Sequence, residues 1–218
     1  MDKRLKRTRR TIHKMSDTER FRDIHTGNKC FVCGAGVSIG VMDLTGIHEY
    51  PVVSVNSSVM LMPWEESGDL LKRFWVSTDS LCMQWDYFWN KVMRGEMTRV
   101  VRNSWARKTK ELNGVQMTYY LPRRVTGEIK KKEEGLMCGS SILSAVDLAL
   151  LMGCTKVFLL GVDHRNVNGN SHFWQLWPQR ERPLRQGKPS NYMPCQRQQD
   201  NVFKSNFRNF DILARYAT

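Results

Sequence analysis

Three short segments of this 218-residue chain hold residue types that could do chemistry. The first is Gly34-Ala35-Gly36-Val37-Ser38, directly after an apolar run. Glycines let a backbone approach a phosphate, and exposed N–H groups with a hydroxyl such as Ser38 can hold it. The third glycine of a dinucleotide fingerprint is missing, because position 39 is Ile and Gly40 comes one residue late. No Walker A sequence occurs. The loop therefore reads either as a phosphate cradle or as an ordinary tight turn. The second segment is Gly139-Ser140-Ser141, ahead of a strong helix pattern. The amides of a helix N-terminus favour anions, and either serine can serve as the N-cap. The third is Asp163-His164 with His172, in the run DHRNVNGNSHFW. An Asp can orient an imidazole, and an imidazole can take the proton of an attacking hydroxyl. The alternatives for these histidines are hydrogen-bonded loop residues or, less in keeping with their spacing, metal ligands.

A basic segment follows. Between Gln179 and Arg197 stand Arg180, Arg182, Arg185, Lys188 and Arg197, with Pro183, Pro189, Pro194 and Tyr192. It could close over a phosphate as a lid, touch a nucleic-acid backbone, or lie solvated as a loop. Of the 7 tryptophans, Trp174 and Trp177 lie in the polar loop over about 165–196, which makes them the candidates for stacking on a base or sugar. Cys30 and Cys33 form a lone C-x-x-C with no second pair and no nearby histidine. The segment from Lys29 to Cys33 reads as a strand, where free Cys packs as a small hydrophobe. Buried thiols in a reducing cytoplasm are expected, and no metal.

These segments need elements to position them. Ser16 and Glu19 have capping-box spacing, which predicts a short helix over about 17–24. Strands are predicted at Cys30–Ala35, Pro51–Val55, Arg73–Ser77, Thr98–Arg102 and Val115–Leu121. A helix is predicted from Ser80 to about Arg94, and a basic one over Asn103–Leu112. Ile142, Ala145, Val146 and Ala149 make one helix face in Ser140–Met152, stopped by Gly153. Lys156–Leu160 is continuously apolar after its lysine, which predicts a strand buried on both faces. A long polar loop is expected over 165–196, and a final helix over Gln198–Tyr216. Strands alternating with helices predict a mainly parallel α/β sheet, in which ligands bind outside the carboxyl ends of the strands. Those ends carry Gly34–Ser38, Asn56–Ser58, Ser77–Ser80 and Asp163–His164, with Asn56, Ser57 and Asp79 as candidate binding residues among them.

A chain of this length with 41% hydrophobic residues can build one full core. One domain is expected over 16–218, after a basic flexible tail over 1–15. No apolar run approaches the roughly 20 residues of a membrane span. The basic N-terminal stretch has no apolar run behind it, unlike a signal peptide. A cytoplasmic protein without a membrane partner is expected. The net charge is +13, of which residues 1–14 supply +6. The remaining +7 predicts polyanionic partners, either nucleic acid or phosphate-bearing substrates.

The segments CGAGVSI, VSVNSSVML, FWVSTDS and CGSSILSAVDLALLMGCTKVFLLGVDHR together resemble bacterial sialyltransferases of glycosyltransferase family 42. They are also similar to the archaeal-type hydroxymethylpterin pyrophosphokinases. The resemblance covers residues 29–80 and 138–173 and implies a Rossmann-like fold. It implies that Gly34, Gly36, Ser38, Asn56, Gly139, Ser140 and Ser141 hold the nucleotide of an activated donor, with Asp163 at its edge. It implies a histidine general base without a metal, His172 first and His164 second. Ala35 and Val37 replace the Asn and Pro common in the family's first loop. The expectation is a transferase, with no tightly bound cofactor, that moves a sugar from a nucleotide donor to a hydroxyl acceptor. Modified phage-type DNA would fit the charge as acceptor. Arg182 and Arg185 would cover the leaving phosphate. The alternatives are an ATP- and magnesium-dependent pyrophosphoryl transferase acting on a small heterocycle, and a basic nucleic-acid-binding protein without activity.

Overall fold

Runs of β-branched and aromatic residues pair side by side, all parallel, into a six-stranded sheet. The strands are β1 (Lys29–Cys33), β2 (Val52–Val55), β3 (Arg73–Ser77), β4 (Thr98–Arg102), β5 (Thr118–Leu121) and β8 (Lys156–Leu160). Their order is β5-β4-β3-β2-β1-β8. The short strands β6 (Arg123–Arg124) and β7 (Leu136–Met137) pair apart from it, and β9 (Leu184–Arg185) and β10 (Lys188–Pro189) form a hairpin. The structure is a computed structural model and describes residues 20–64, 69–102, 105, 118–121, 123–124, 136–137, 140–189, 204 and 210. The basic tail, most of the helix predicted over 103–112, Gly139 and, apart from positions 204 and 210, the predicted C-terminal helix lie outside the described residues.

Period-two alternation sends each strand's side chains to two different cores. Cys30, Val32, Val53, Val55, Phe74, Val76 and Val100 meet helix α1 (Ser141–Leu151) on one face. Cys33, Val52, Trp75 and Val101 face the other way, toward Ile39, Phe88, Trp105 and Phe173. The two layers follow from winding. Steps from β1 through β5 run in one direction and place their described connections on one face. The return past β1 to β8 runs in the opposite direction, and right-handed crossovers then demand the opposite face. There α1 lies.

Several local expectations change in three dimensions. Among the described residues, the chain after β1 and after β2 forms short 3-10 turns on the Trp75 face, Val37–Val41 and Asn56–Leu61. The helix predicted over 80–94 is a 3-10 turn, Ser80–Gln84, followed by a π-helical turn, Phe88–Val92. The buried Arg99 guanidinium donates to the carbonyls of Val92 (2.7 Å) and Met97 (3.0 Å), and also to Met93 and Gly95. A cation from the next strand thus gathers carbonyls at the turn's end. Residues 20–27 are turns hooked to the end of α1 by Asp23 N–H on the Leu151 carbonyl (3.0 Å) and His25 N–H on that of Met152 (2.8 Å). Strand β8 is an edge strand among the described residues, with Phe158 and Leu159 each 42% exposed. Apolar composition specified a strand there but not its number of neighbours.

Of the loop expected over 165–196, residues 165–189 are described, and Tyr192, Pro194 and Arg197 lie outside the described residues. Asn168 and Gly169 turn a tight hairpin closed by Val167 and Asn170, and Phe173, Trp174 and Gln175 are buried. Cys30, Cys33, Cys82 and Cys154 are free and buried. Cys30 and Cys33 enter opposite cores, so the C-x-x-C spacing does not bring the two thiols together. Burial pushes the Cys33 thiol up to about 12.

Candidate functional site

The carboxyl ends of β1 and β8 are joined by backbone. Gly34 N–H donates to the Leu160 carbonyl (2.7 Å), and Gly36 N–H to that of Gly161 (2.8 Å). A Cβ on Gly34 or Gly36 would stand 2.5 or 2.6 Å from the Gly161 oxygen. Asp163 completes the seam: Ser38 N–H donates to its Oδ2 at 2.9 Å, and the Ser38 hydroxyl to its Oδ1. These contacts correct two expectations. The amides of Gly34, Gly36 and Ser38 are spent within the protein, so the glycines serve the close approach of two loops. The Asp163 carboxylate anchors that loop, and the hydrogen bonds it accepts come from Ser38.

Above the seam lies a hollow of about 190 Å3, floored by Gly34, Gly36 and Gly161 and walled by Asn56, Ser140 and Ser141. Helix α1 points its N-terminus at it. The Ser140 side chain caps the helix by accepting Leu143 N–H (3.4 Å). The Ser141 hydroxyl accepts Thr78 N–H (2.9 Å), which ties the helix start to the end of β3. No partner engages the amides of Ser141 and Ile142 among the described residues, so the positive end of the helix remains available to an anion. Asn56 is left-handed, at φ +53°, a conformation Asn tolerates better than most residues. Its Oδ1 is buried without a hydrogen-bond partner among the described residues.

A second hollow, of about 150 Å3, opens beside the first. Ser57, Asp79, Trp85, Tyr87, Trp174 and Arg185 line it, and Asn56 and His172 line both. The two hollows adjoin at Asn56 and His172, which border both. Asp79 caps the turn Ser80–Gln84 by accepting Leu81 N–H (2.9 Å). Arg185 is held by Gln84, whose Oε1 accepts from Nε (2.9 Å) and Nη2 (2.7 Å). The guanidinium stands 5.9 Å over the Trp85 ring.

His172 sits at the partition because its neighbour fixes it. Phe173 is fully buried and donates its N–H to the Ala35 carbonyl (3.1 Å), which docks the turn Phe173–Leu176 on the first loop. Gln175 Oε1 accepts the N–H groups of Ser171 (2.7 Å) and His172 (2.9 Å). The Ser171 hydroxyl lies 2.8 Å from His172 Nδ1 and orients the ring. Burial lowers the His172 pKa to about 4, so the imidazole is neutral at pH 7. His164 also borders the first hollow, left-handed at φ +48°. Burial lowers its pKa against the opposing pull of Asp163.

Most of the residues singled out in the sequence therefore converge on one place. Gly34, Gly36, Asn56, Ser140, Ser141, Asp163, His164 and His172 border the first hollow, and Ser57, Asp79 and Arg185 the second. Ser38 and Arg182 do not. Arg182 donates to the carbonyls of Gln175 (2.7 Å) and Trp177 (3.0 Å) and so braces the histidine's turn. Trp85, Tyr87, Ser171 and Gln175 were missed. Only the Ser171–Gln175 spacing at a turn start gave any signal for them. Among the described residues no group of three His, Cys, Asp or Glu could hold a metal ion, and no helix is long and apolar enough to cross a membrane. Comparison of the chain with protein-family models, with curated proteins and with solved structures finds no match.

Proposed function

We propose that this protein is a Rossmann-like transferase that uses a nucleotide-activated donor, moving a glycosyl group to a hydroxyl acceptor. One observation carries the reading: a single neutral histidine, His172, stands in the wall shared by an anion-favouring hollow and an aromatic one. The donor phosphate rests at the N-terminus of α1, on the amides of Ser141 and Ile142. Asn56 offers its unpartnered oxygen to a ribose hydroxyl or a base N–H. The acceptor lies in the second hollow with its hydroxyl against His172. As the acceptor oxygen bonds to the donor's anomeric carbon, the bond from that carbon to the phosphate oxygen breaks. The nucleotide leaves with the electron pair, and His172 takes the hydroxyl proton.

The test is thermal stabilisation by a panel of cytidine, uridine, guanosine and adenosine mono- and diphosphates, with ATP, each with and without magnesium. A ligand at about 100 times its dissociation constant stabilises by roughly 2.7 kcal/mol. A magnesium-independent shift by one nucleotide class is expected, retained in His172→Ala while turnover falls about 10²–10⁴-fold. A shift by ATP alone, only with magnesium, would replace this reading with pyrophosphoryl transfer to a small heterocycle. No shift, together with salt-sensitive nucleic-acid binding, would leave a basic binding protein.

A further inference from the structure

We infer that the second hollow is a nucleobase pocket, taking one hydroxyl-bearing base that a nucleic-acid strand swings out to reach His172. This inference rests on the transferase reading for its chemistry, but its geometry stands apart from the donor hollow. The hollow's volume is about 150 Å3, the size at which a cavity in a protein takes up one benzene ring. That admits a single ring and leaves the attached sugar-phosphate outside. Its walls are aromatic, with Trp85 and Trp174 centred 5.3 Å apart and inclined by 55°. Trp85 is the partly exposed indole and can stack on a base, while the buried Trp174 closes the edge.

The polar groups at the same hollow have opposite signs. Asp79 uses Oδ1 for Leu81 N–H, and its other oxygen has no partner among the described residues. A carboxylate accepts from an exocyclic amine, as acidic side chains do from cytosine N4. Arg185, fixed in place by Gln84, presents a guanidinium toward ring carbonyls. An edge that carries both an amine and a carbonyl is a nucleobase edge. Outside the hollow, the strand's phosphates meet a basic rim. In residues 179–189 Arg182 is committed to the Gln175 and Trp177 carbonyls and Arg185 to Gln84, which leaves as exposed cations Lys188 and Arg180, the latter 3.4 Å from Glu181 Oε1. The hairpin of β9 and β10 is held to this spot by Trp85 and Arg185 pairing as a bridge and by Gln186 N–H on the Gln84 carbonyl (2.7 Å). Extruding a base costs a few kcal/mol, least in single strands, so unpaired substrate is favoured.

The experiment is fluorescence anisotropy of labelled single-stranded DNA and RNA 12-mers, with and without one hydroxymethylated pyrimidine, against wild type, Trp85→Ala and Asp79→Asn. Asp79→Asn keeps a capping side chain, and circular dichroism checks that each variant is folded. The expected result is that the hydroxymethylated strand binds wild type. Each variant should weaken it at least tenfold, while the slope of affinity against salt stays constant because phosphate contacts persist. Equal affinity in wild type and both folded variants would overturn the pocket. So would competition by free monosaccharides in place of the hydroxymethylated nucleoside. Stabilisation by the nucleotide panel separates the two claims. If it persists in variants that have lost the strand, the donor and base hollows are distinct. If the panel fails while base-dependent binding holds, the donor reading falls and this pocket stands.

Discussion

At the residue scale, the site turns on one imidazole held neutral. His172 is ordinarily half-charged near pH 6.5, but here burial lowers its pKa to about 4. The unfolded chain therefore binds the proton more tightly than the folded one. The histidine's contribution to stability is fully present above pH 6.5 and is lost as pH falls toward 4. Urea unfolding at pH 7 and pH 4.5 should show wild type losing on the order of 2 kcal/mol more than His172→Asn between those two values. An equal loss would mean the ring is solvated. The Ser171 hydroxyl, 2.8 Å from Nδ1, selects the ring's tautomer and rotation. Ser171→Ala should leave stability within about 1 kcal/mol and lower turnover about tenfold. Nitrogen-15 spectra of the imidazole should then show a mixed tautomer, and Ser171→Thr should restore one form. The histidine was legible in the sequence as a chemical group beyond a strand. Its orienting serine was not, because Ser171 matters only once Gln175 has folded back to hold both amides.

At the element scale, the junction of β1 and β8 decides the geometry. Gly161 is left-handed, at φ +63°, and a Cβ there would stand 2.7 Å from Ile39 Cβ and 2.9 Å from the Gly34 oxygen. Gly161→Ala combines backbone strain with a clash in a packed wall, and should cost about 2–4 kcal/mol. Chemical denaturation measures this, and a change below about 0.5 kcal/mol would show that the seam can yield. Helix α1 was legible in full, because its apolar period and its serine cap are local signals. The connection after β3 was not. A pattern rich in Trp85, Tyr87, Phe88 and Trp89 reads as a helix, yet the chain must fit Arg99 and the Trp75 face and breaks into two short turns. Local propensity yields there to tertiary packing.

At the scale of the molecule, charge governs partners more than fold. With +13 overall, single-stranded nucleic acid should bind with an affinity that falls steeply with salt. Between 50 and 200 mM salt, a single-strand site touching about six phosphates would lose roughly 300-fold. Anisotropy titrations at four salt concentrations would test this, and a flat profile would exclude a polyanion-binding face. The buried thiols belong to this scale as well. Cys30, Cys33 and Cys82 should react with a thiol reagent only as fast as the chain opens, and faster labelling in native buffer would contradict their burial.

The sequence by itself determined the six strands of the main sheet, the parallel α/β class, helix α1 with its serine cap, and most of the residues around the site. These are local properties: period, capping and turn chemistry act within a few residues. Only the tertiary structure decided what each residue does there. It turned the Gly34–Ser38 amides inward onto β8 and gave Asp163 to Ser38. It sent Arg182 to brace a turn and set His172 between two hollows. Those assignments depend on which strand neighbours β1, and Gly161 and Asp163 lie more than 120 positions along the chain from the loop they meet. Hydrogen-bond demand at that junction, not composition, allotted the donors and acceptors.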